Sequence, residues 1–298
     1  MSPEPGTRVT VGGRELTVSN LDKVLYPESG TTKGQVIDYY ARIAEVMLPH
    51  VTGRPMTMKR FPNGVEQKSF FEKHVPEHAP TWVGTVDVPS EGGAETITYG
   101  VIDDLPSLVW AANLAALELH VPLWHAGRRR TLPGPPDHMV FDLDPGERAT
   151  IVECCRVADL ISERLADQGL EAHAKTSGSK GLQLYVPLGR RATWEKVRED
   201  AHDMARTLER SHPQLVVSSM KKSLRHGKVL IDWSQNHPSK TTVAVYSLRG
   251  RPEPTVSTPV TWDEVAHCAE VGDPETLRFT FDVVLRRVAE HGDLFAPV

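Results

Sequence analysis

Two aspartates end an apolar segment and could bind a metal ion. Asp142 and Asp144 lie in the sequence Phe-Asp-Leu-Asp-Pro-Gly, and the alternation of a β-strand places them on the same face. Two carboxylates at this spacing repel one another, which is costly unless a cation lies between them. Their oxygens suit Mg²⁺ or Mn²⁺ better than zinc. Pro145 and Gly146 end the strand, so we expect the pair at an open rim; a surface pair beside a turn is the alternative.

A third aspartate lies near the end of a second apolar segment. Asp232 follows Val-Leu-Ile and precedes Trp233, so it is poorly placed as a solvated residue and needs a partner. Three carboxylates supplied by two strands would form a two-metal site, in which ions roughly 3.5–4 Å apart activate an attacking oxygen and neutralise a leaving one. Such sites serve phosphoryl and nucleotidyl transfer.

A turn between the two acidic segments combines glycines, hydroxyls and a lysine. Its sequence is Thr-Ser-Gly-Ser-Lys-Gly at 176–181. Backbone N–H groups in such a turn can form an anion-binding nest, and Lys180 adds a positive charge. The turn is a candidate triphosphate site, with a flexible surface hairpin as the alternative.

Helices and short strands must position these residues. The first predicted helix begins with a capping box between Thr32 and Gln35 and ends at Pro49. Further helices are predicted over 104–119, 150–168, 194–210 and from Thr261 onward. Strands are predicted at 56–60, 81–88, 138–143, 172–176, 181–187, 228–233 and 241–248. Several neighbouring strands are joined by loops too short for a helical crossover, which indicates an α+β fold with antiparallel or mixed sheets and packed helices.

The composition excludes several classes of protein. A chain of 298 residues buries roughly three quarters of its unfolded surface, so it needs no metal or disulfide to form a core. Its net charge of −5 argues against non-specific coating of nucleic acid, but it is compatible with a local basic groove. The three cysteines suit neither a disulfide framework nor a zinc site, and no segment predicts a membrane span or a secretory signal. We therefore expect a soluble cytoplasmic protein without a membrane partner.

Two runs of basic residues could line such a groove. One comprises Arg128, Arg129 and Arg130, and the other lies at 221–228. A solvated surface is the alternative for both runs.

The motifs together resemble the archaeo-eukaryotic primase superfamily, specifically the polymerase domain of bacterial ATP-dependent DNA ligase D and its stand-alone relatives. The resemblance rests on the motifs at 141–145, 176–181 and 229–236, flanked by Lys-Arg-Phe-Pro-Asn-Gly at 59–64 and Tyr-Ser-Leu-Arg-Gly-Arg at 246–251. It covers nearly the whole chain. It implies a single primase-polymerase-like domain over 1–298, with a region at 1–55 that binds a DNA end or 5′-phosphate and a catalytic core at 56–298.

The resemblance also implies roles for individual residues. Asp142, Asp144 and Asp232 would ligate two catalytic ions, Mn²⁺ or Mg²⁺. The residues implied to bind the incoming nucleotide are His120, Ser177, Lys180, Gln183, Arg225, Gln235 and Arg249. Those implied to bind DNA are Asn20, Lys23 and Lys33, near a 5′-phosphate, and Lys59, Phe70 and Phe71, on the template side. Without the resemblance, a solvated position would be the alternative for the lysines, and a core position for the phenylalanines and His120.

One position departs from the family pattern. Where the family usually has histidine after Lys-Gly-Leu, this chain has Gln183. Glutamine donates a hydrogen bond but carries no charge and passes no proton. If this position contacts phosphate, we expect nucleotide affinity or metal preference to differ from the ligase-fused enzymes.

The function predicted from these features is template-directed nucleotidyl transfer, by a DNA-directed polymerase of the primase-polymerase type. The resemblance implies filling of short gaps or ends during DNA repair by non-homologous end joining, a preference for ribonucleotides, strong activity with Mn²⁺ and association with the nucleoid. Its partners would be gapped or broken DNA with a 5′-phosphate and NTP or dNTP. The sequence contains no Lys-x-Asp-Gly motif for ligase adenylation, so a separate DNA ligase and an end-binding protein are expected as further partners.

Two other functions are compatible with parts of the pattern. A two-metal phosphodiesterase or nuclease would use the same aspartates but would leave the turn at 176–181 without a triphosphate to bind. A non-catalytic module that binds DNA ends would use the aspartates only to stabilise the fold.

Overall fold

Helices and short strands alternate along the chain. A computed structural model of the protein describes residues 6–90, 93, 95–126, 133–189 and 191–295. The helices within these ranges are α1 (Lys33–Val51), α2 (Leu105–Asn113), α3 (Ile151–Ala166), α4 (Trp194–Ser211), α5 (Trp262–Val271) and α6 (Phe281–His291). The strands are β1 (Thr7–Val11), β2 (Arg14–Val18), β3 (Val24–Tyr26), β4 (Thr31–Thr32), β5 (Pro55–Arg60), β6 (Phe70–Glu72), β7 (Gly84–Pro89), β8 (Thr96–Val101), β9 (Ala116–Val121), β10 (His138–Pro145), β11 (His173–Thr176), β12 (Leu182–Pro187), β13 (Val216–Val217), β14 (Val229–Asp232), β15 (Thr242–Val243) and β16 (Pro259–Val260).

Most of these strands belong to two sheets. The first sheet has the order β13-β14-β10-β12-β11-β16, and only its β13-β14 pairing is parallel. The second sheet has the order β15-β9-β5-β8-β7, with β6 paired to β5, and its pairings are antiparallel. The predicted α+β fold with antiparallel and mixed sheets and packed helices is confirmed.

The side chains of β10 lie alternately on two different faces of the first sheet. One face packs against helices, and the other carries the acidic side chains. Met139 and Phe141 contribute to the floor of a groove between α3 and α4. Because side chains alternate along a strand, Asp142 and Asp144 lie on the opposite face. One continuous cluster of buried apolar side chains includes residues of both sheets, such as Met58, Leu119 and Leu184. The core therefore fixes the two sheets against each other.

Capping residues explain why several helix starts were predictable. Thr32 and Gln35 form both hydrogen bonds of the predicted box, at 3.3 and 2.8 Å, and Thr261 caps α5 in the same way. The predicted end of α1 at Pro49 is wrong, because the helix continues to Val51. Proline lacks only its own N–H donor, and this close to the helix end the last turn still closes with the 2.9 Å bond from Thr52 N to Leu48 O.

The predicted helix over 104–119 is also wrong in its second half. Helix α2 ends at Asn113, Ala115 adopts a left-handed conformation with φ of 55°, and the chain continues as β9. The run from 105 to 119 is mostly apolar, and such a run has no clear period to separate a buried helix from a buried strand. In residues 117–120 the apolar Leu117 and Leu119 alternate with the polar Glu118 and His120, which is the two-residue period of a strand.

Other elements were missed or shortened in prediction. The strand predicted at 81–88 begins at Gly84. Of the strand predicted at 241–248, Thr242 and Val243 form β15, and Leu248 forms an isolated bridge with Val256. The elements that were not predicted are β1, β2, β3, β4, β6, β8, β9, β13, β16 and α6. Within the described ranges, the helices are too short or too polar to cross a bilayer.

Candidate active site

The three aspartates meet where β10 and β14 lie side by side. Asp142 and Asp232 are direct partners in the antiparallel register, and Asp144 follows two residues along β10. One oxygen of each carboxylate lies within 4.8 Å of an oxygen of the others. The sequence predicted this meeting and also the open rim, where the Asp144 side chain is exposed. The role of the three residues as metal ligands stays a prediction.

The electrostatics of this cluster fit bound divalent cations. Burial and the neighbouring carboxylates of Asp144 and Asp232 raise the pKa of Asp142 well above its usual value. Burial and Asp232 likewise raise the pKa of Asp144. A raised pKa means that the ionised carboxylates are short of compensating positive charge. An all-oxygen donor set with this deficit suits Mg²⁺ or Mn²⁺.

A short turn after β14 holds the Asp232 carboxylate in place. Ser234 donates to Oδ1 from both its backbone N and its hydroxyl, at 3.0 and 2.6 Å, and Gln235 Nε2 donates to Oδ2 at 3.0 Å. Asn236 then ties the turn to β10, since its side-chain amide bonds both the N–H and the C=O of Val140 at 2.8 Å. Gln235 therefore lies beside a candidate metal ligand, and its implied role in nucleotide binding stays a prediction.

The loop at 177–181 lines an open cavity together with Asp142 and Asp144 of the acidic cluster. Ser177 Oγ accepts hydrogen bonds from Ser179 N at 3.2 Å and Gly181 N at 3.1 Å. Arg249 Nη1 donates to Ser177 O, and Lys180 is exposed. The cavity has a volume of about 370 Å³, and the predicted site residues that line it are His120, Asp142, Asp144, Ser177, Lys180, Gln183, Arg225 and Arg249.

The segment at 255–258 supports this loop from behind. Thr255 Oγ1 donates to Gly178 O at 2.6 Å, and Ser257 Oγ donates to Thr176 O at 2.8 Å. Gly178 has a φ of 66°, and a Cβ placed on it would lie 2.6 Å from the Val256 carbonyl carbon. Only glycine therefore fits this conformation and this close backbone approach.

Gln183 contacts the acidic cluster and also lines the open cavity. Its Nε2 donates to Asp142 Oδ1 at 3.0 Å, and its Oε1 accepts from the buried Lys175 Nζ at 2.6 Å. Because an ammonium group can only donate, Lys175 fixes which end of the amide faces Asp142. Burial lowers the pKa of Lys175 to about 7, against the opposing charge of Asp142. Sequence analysis missed Lys175, whose only signal was its place next to the Thr-Ser-Gly-Ser-Lys-Gly motif.

A second missed residue, Glu118, lies beneath the nucleotide side of the site. Lys59 Nζ and Gly250 N donate to its Oε1 at 3.2 and 3.1 Å. His120 Nε2 lies 3.0 Å from Oε2 and Arg249 Nε 3.4 Å from the same oxygen. Burial alone would raise the pKa of Glu118, but the hydrogen bond with His120 and the charges of Arg249 and Lys59 lower it to about 2. The strand that carries Glu118 was predicted as helix, which concealed this arrangement.

The candidate template residues lie next to this group. Phe70 and Phe71 are 42% and 59% exposed, so they are surface aromatics and not core residues. Lys59 Nζ lies 5.5 Å from the centroid of the Phe71 ring, and that ring meets His120 edge-on at 5.6 Å. The pairing of β5 with β6 places Lys59 opposite Phe71. The structure thus brings the template-side and nucleotide-side candidates together.

The candidate 5′-phosphate residues form a separate group at the start of α1. Lys33 is largely buried, and its Nζ donates to Ser19 O at 2.7 Å. Burial and the nearby charges of Lys23 and Arg60 lower the pKa of Lys33 to about 8. Lys23 Nζ donates to Asn63 Oδ1 at 2.9 Å, and Asn20 adopts a left-handed conformation in the same turn.

Of the two basic runs that could line a groove, one contributes a residue to the cavity. Arg225, in the run at 221–228, lines the cavity, and its charge lowers the pKa of Asp144 against the larger effect of burial. The arginines at 128–130 lie outside the described residues.

Comparisons with known proteins agree with this geometry. The family model described as "LigD, primase-polymerase domain" matches residues 32–295. The chain is 48% identical over 283 residues to the multifunctional non-homologous end joining protein LigD of Mycolicibacterium smegmatis, and this match covers 95% of the chain and 36% of that protein. It is 32% identical over 279 residues to the bifunctional non-homologous end joining protein LigD of Bacillus subtilis, across 93% of the chain and 43% of that protein.

A solved structure shows the same fold. The polymerase domain from Mycobacterium tuberculosis ligase D, in complex with DNA, superposes with a TM-score of 0.87 at 48% identity, and the match covers 94% of this chain and 96% of that one. The chain spans little more than a third of the length of the mycobacterial relatives that it matches. The residues matched, the shared fold and the clustered aspartates lead to one conclusion: this chain belongs to the LigD primase-polymerase domain family, a family of nucleotidyltransferases.

Proposed function

We propose that this chain adds nucleotides to a primer strand under the direction of a template, and so fills short gaps or ends during DNA repair by non-homologous end joining. One observation carries the proposal. Asp142 and Asp144 of the three-aspartate cluster line the same open cavity as Ser177, Lys180 and Gly181 of the loop at 177–181, so a candidate metal site and a candidate triphosphate site are adjacent.

The residues around the cavity would position the reactants. Ser177, Lys180, Arg225 and Arg249 would bind the triphosphate of the incoming nucleotide, because they supply the positive charge and hydrogen-bonding groups on its side of the cavity. Gln183 and Gln235 hold the carboxylates of Asp142 and Asp232 in fixed orientations. The three aspartates would hold two divalent ions, Mn²⁺ or Mg²⁺, which when bound lower the pKa of the primer 3′-hydroxyl and neutralise charge on the departing pyrophosphate.

The exposed aromatic pair would bind the template. Phe70 and Phe71 are exposed, and each has a cation of β5 beside its ring: Arg60 lies 5.4 Å from the centroid of the Phe70 ring and Lys59 Nζ 5.5 Å from that of the Phe71 ring. This arrangement suits a base stacked on an aromatic ring with its backbone near a cation. Stacking of a base on an aromatic side chain contributes about 1–3 kcal/mol and tolerates any base, as template binding requires.

The first 55 residues would bind the downstream DNA end, and residues 56–298 would form the catalytic core of a single domain. The charge of Lys23 contributes to the lowered pKa of Lys33, and the backbone N of Lys33 donates to Lys23 O at 2.8 Å. Lys33 lies in the first turn of α1, and a helix N-terminus already favours an anion. Asn20 lies in the turn that precedes them.

This end-binding group makes a testable prediction. The combined change Lys23→Ala and Lys33→Met, which keeps most of the buried Lys33 stem, should weaken binding to gapped DNA about tenfold or more when the downstream strand carries a 5′-phosphate. Binding to unphosphorylated gapped DNA should change little, and the combined change Arg206→Ala and Arg210→Ala, at exposed positions of α4, serves as the charge-matched control. Equal losses on both DNAs would make the two lysines general backbone contacts.

The family resemblance supports further parts of the proposal. These are a preference for ribonucleotides, higher activity with Mn²⁺ than with Mg²⁺, action in the cytoplasm at the nucleoid, and cooperation with a DNA ligase and an end-binding protein. Comparing NTP with dNTP, and Mn²⁺ with Mg²⁺, on a gap of one to three nucleotides tests the first two.

Primer extension distinguishes the proposed function from its two alternatives. With a labelled primer in a short gap, a polymerase lengthens the strand, a nuclease shortens it and an end-binding module leaves it unchanged. We expect one-nucleotide extension by the native chain, and Asp144→Ala should abolish it while the protein stays folded. Shortening of the strand, or no change with every nucleotide and metal tested, would refute the proposal.

A further inference from the structure

Glu118 contacts side chains from both halves of the proposed site. Some of them would bind the template, and the others would bind the incoming nucleotide. Glu118 is the direct cross-strand partner of Lys59 on β5, and His120 follows on the same face of β9. Arg249 lies near the other carboxylate oxygen of Glu118, and its guanidinium also donates to Ser177 O in the loop at 177–181, which is called the phosphate loop below. The Glu118 side chain itself is 2% exposed and lines no part of the cavity surface.

We propose that Glu118 is a positioning residue that couples template binding to triphosphate binding. This inference rests on the proposed function, in which Lys59 binds the template and Arg249 binds the triphosphate. Glu118 reaches neither ligand itself; it acts through the side chains that do.

The charges explain why a carboxylate is needed at this position. Lys59 and Arg249 both carry a positive charge, and they approach different oxygens of one buried carboxylate. Without that negative charge the two cations would face each other across a poorly solvated space, where like charges repel strongly. The His120 ring must direct an N–H toward Oε2, because an ionised carboxylate only accepts hydrogen bonds. Glu118 therefore sets the orientation of one template-side and two nucleotide-side groups at once.

Continuous contacts join the two ligand surfaces. Phe71 lies against Lys59 and His120, Lys59 and His120 contact Glu118, and Glu118 contacts Arg249, which bonds the phosphate loop. A template that fixes the positions of Phe71 and Lys59 would also fix Glu118 and, through it, Arg249. The triphosphate would then have to remove less conformational freedom from Arg249 when it binds. By linkage, the triphosphate must strengthen template binding by the same factor.

The test needs a probe that cannot pair with a template base. Inorganic triphosphate with a divalent ion meets this need, and its affinity is measured with and without gapped DNA that ends in a dideoxynucleotide. For the native chain, we expect the DNA to strengthen triphosphate binding by about fivefold or more. In Glu118→Gln the ratio of the two affinities should fall toward one, because the amide keeps the size of the side chain and removes its charge.

Matched variants separate coupling from general destabilisation. Glu118→Asp keeps the charge, so the ratio of triphosphate affinities with and without DNA should stay near the native value. Lys59→Met removes the template-side partner of Glu118, so this ratio should fall. Glu264→Gln breaks a carboxylate–arginine pair with Arg287 on helices α5 and α6, and it should leave the ratio at the native value.

Two results would overturn the inference: a ratio of one for the native chain, or a native ratio in both Glu118→Gln and Lys59→Met. The proposed function is tested separately, since it fails only if the native chain does not extend a primer. If Glu118→Gln does not fold, the Lys59→Met and Glu118→Asp ratios decide the question.

Discussion

The acidic cluster on β10 and β14 and the Glu118 carboxylate on β9 have opposite electrostatic surroundings. At the acidic cluster, three aspartates lie together, and their mutual repulsion and burial raise the pKa values of Asp142 and Asp144. At Glu118, a single carboxylate is surrounded by donors of the protein, and its pKa is lowered to about 2. The first group lacks positive charge and fits cations from solution, whereas the second is already neutralised by the chain. In this protein, the buried carboxylates that indicate a ligand site are those for which the chain supplies too little positive charge.

The largest expected effect tests the acidic cluster. Asp142→Asn should slow nucleotide addition by about 10³-fold or more, because it removes a candidate ligand from the site where charge must be neutralised. The same change removes a like charge, so in a chelator it should not lower the melting temperature, and Mn²⁺ should stabilise the native chain much more than the variant. Single-turnover extension and thermal melts with Mn²⁺ or a chelator measure both effects. A variant that melts well below the native chain in the chelator would contradict this description of the cluster.

The next effect tests Glu118 through pH. Its pKa is about 2 in the folded protein and has the ordinary value of 4.5 in the unfolded chain, so its ionised form contributes stability above pH 4.5 that is lost as pH falls through 2. Glu118→Gln should therefore cost about 3 kcal/mol of unfolding free energy at pH 7, and less as pH falls from about 5 toward 2. Urea unfolding of both proteins across this range measures the difference. A difference that stays constant with pH would show that Lys59, His120 and Arg249 do not lower the pKa of Glu118.

The smallest effect concerns Gln183, a protein donor that contacts the acidic cluster. Gln183→Met removes the hydrogen bond to Asp142 and should weaken the binding of the activating metal about tenfold, as is typical of residues that orient metal ligands. Titration of activity and of melting temperature with Mn²⁺ measures this change. Gln168→Met, at the exposed end of α3, is the matched control. Unchanged metal dependence would mean that Lys175 and Gln183 serve packing alone.

The features that the structure confirms share one property: their signal lies within a few positions of the chain. The capping boxes at Thr32 and Thr261 and the strand that ends after Asp142 and Asp144 are local patterns. Glu118 and Lys175 are different, because their partners come from residues up to 132 positions away and only the folded sheets bring them together. The hairpin of β1 and β2 did have a local signal, the pair Gly12-Gly13 between alternating segments, and it was overlooked.

The support behind the loop at 177–181 has a consequence for how the nucleotide is received. Hydrogen bonds from Thr255 and Ser257, and the contact of Gly178 with Val256, hold the loop through residues that do not line the cavity beside Asp142 and Asp144. A loop that is held in one shape before binding loses little conformational freedom when phosphates bind, so more of the energy of each new contact would appear as affinity. Under the proposed function, residues 255–258 would therefore contribute to nucleotide affinity indirectly, and a substitution there would weaken nucleotide binding without removing any of the proposed phosphate-binding side chains.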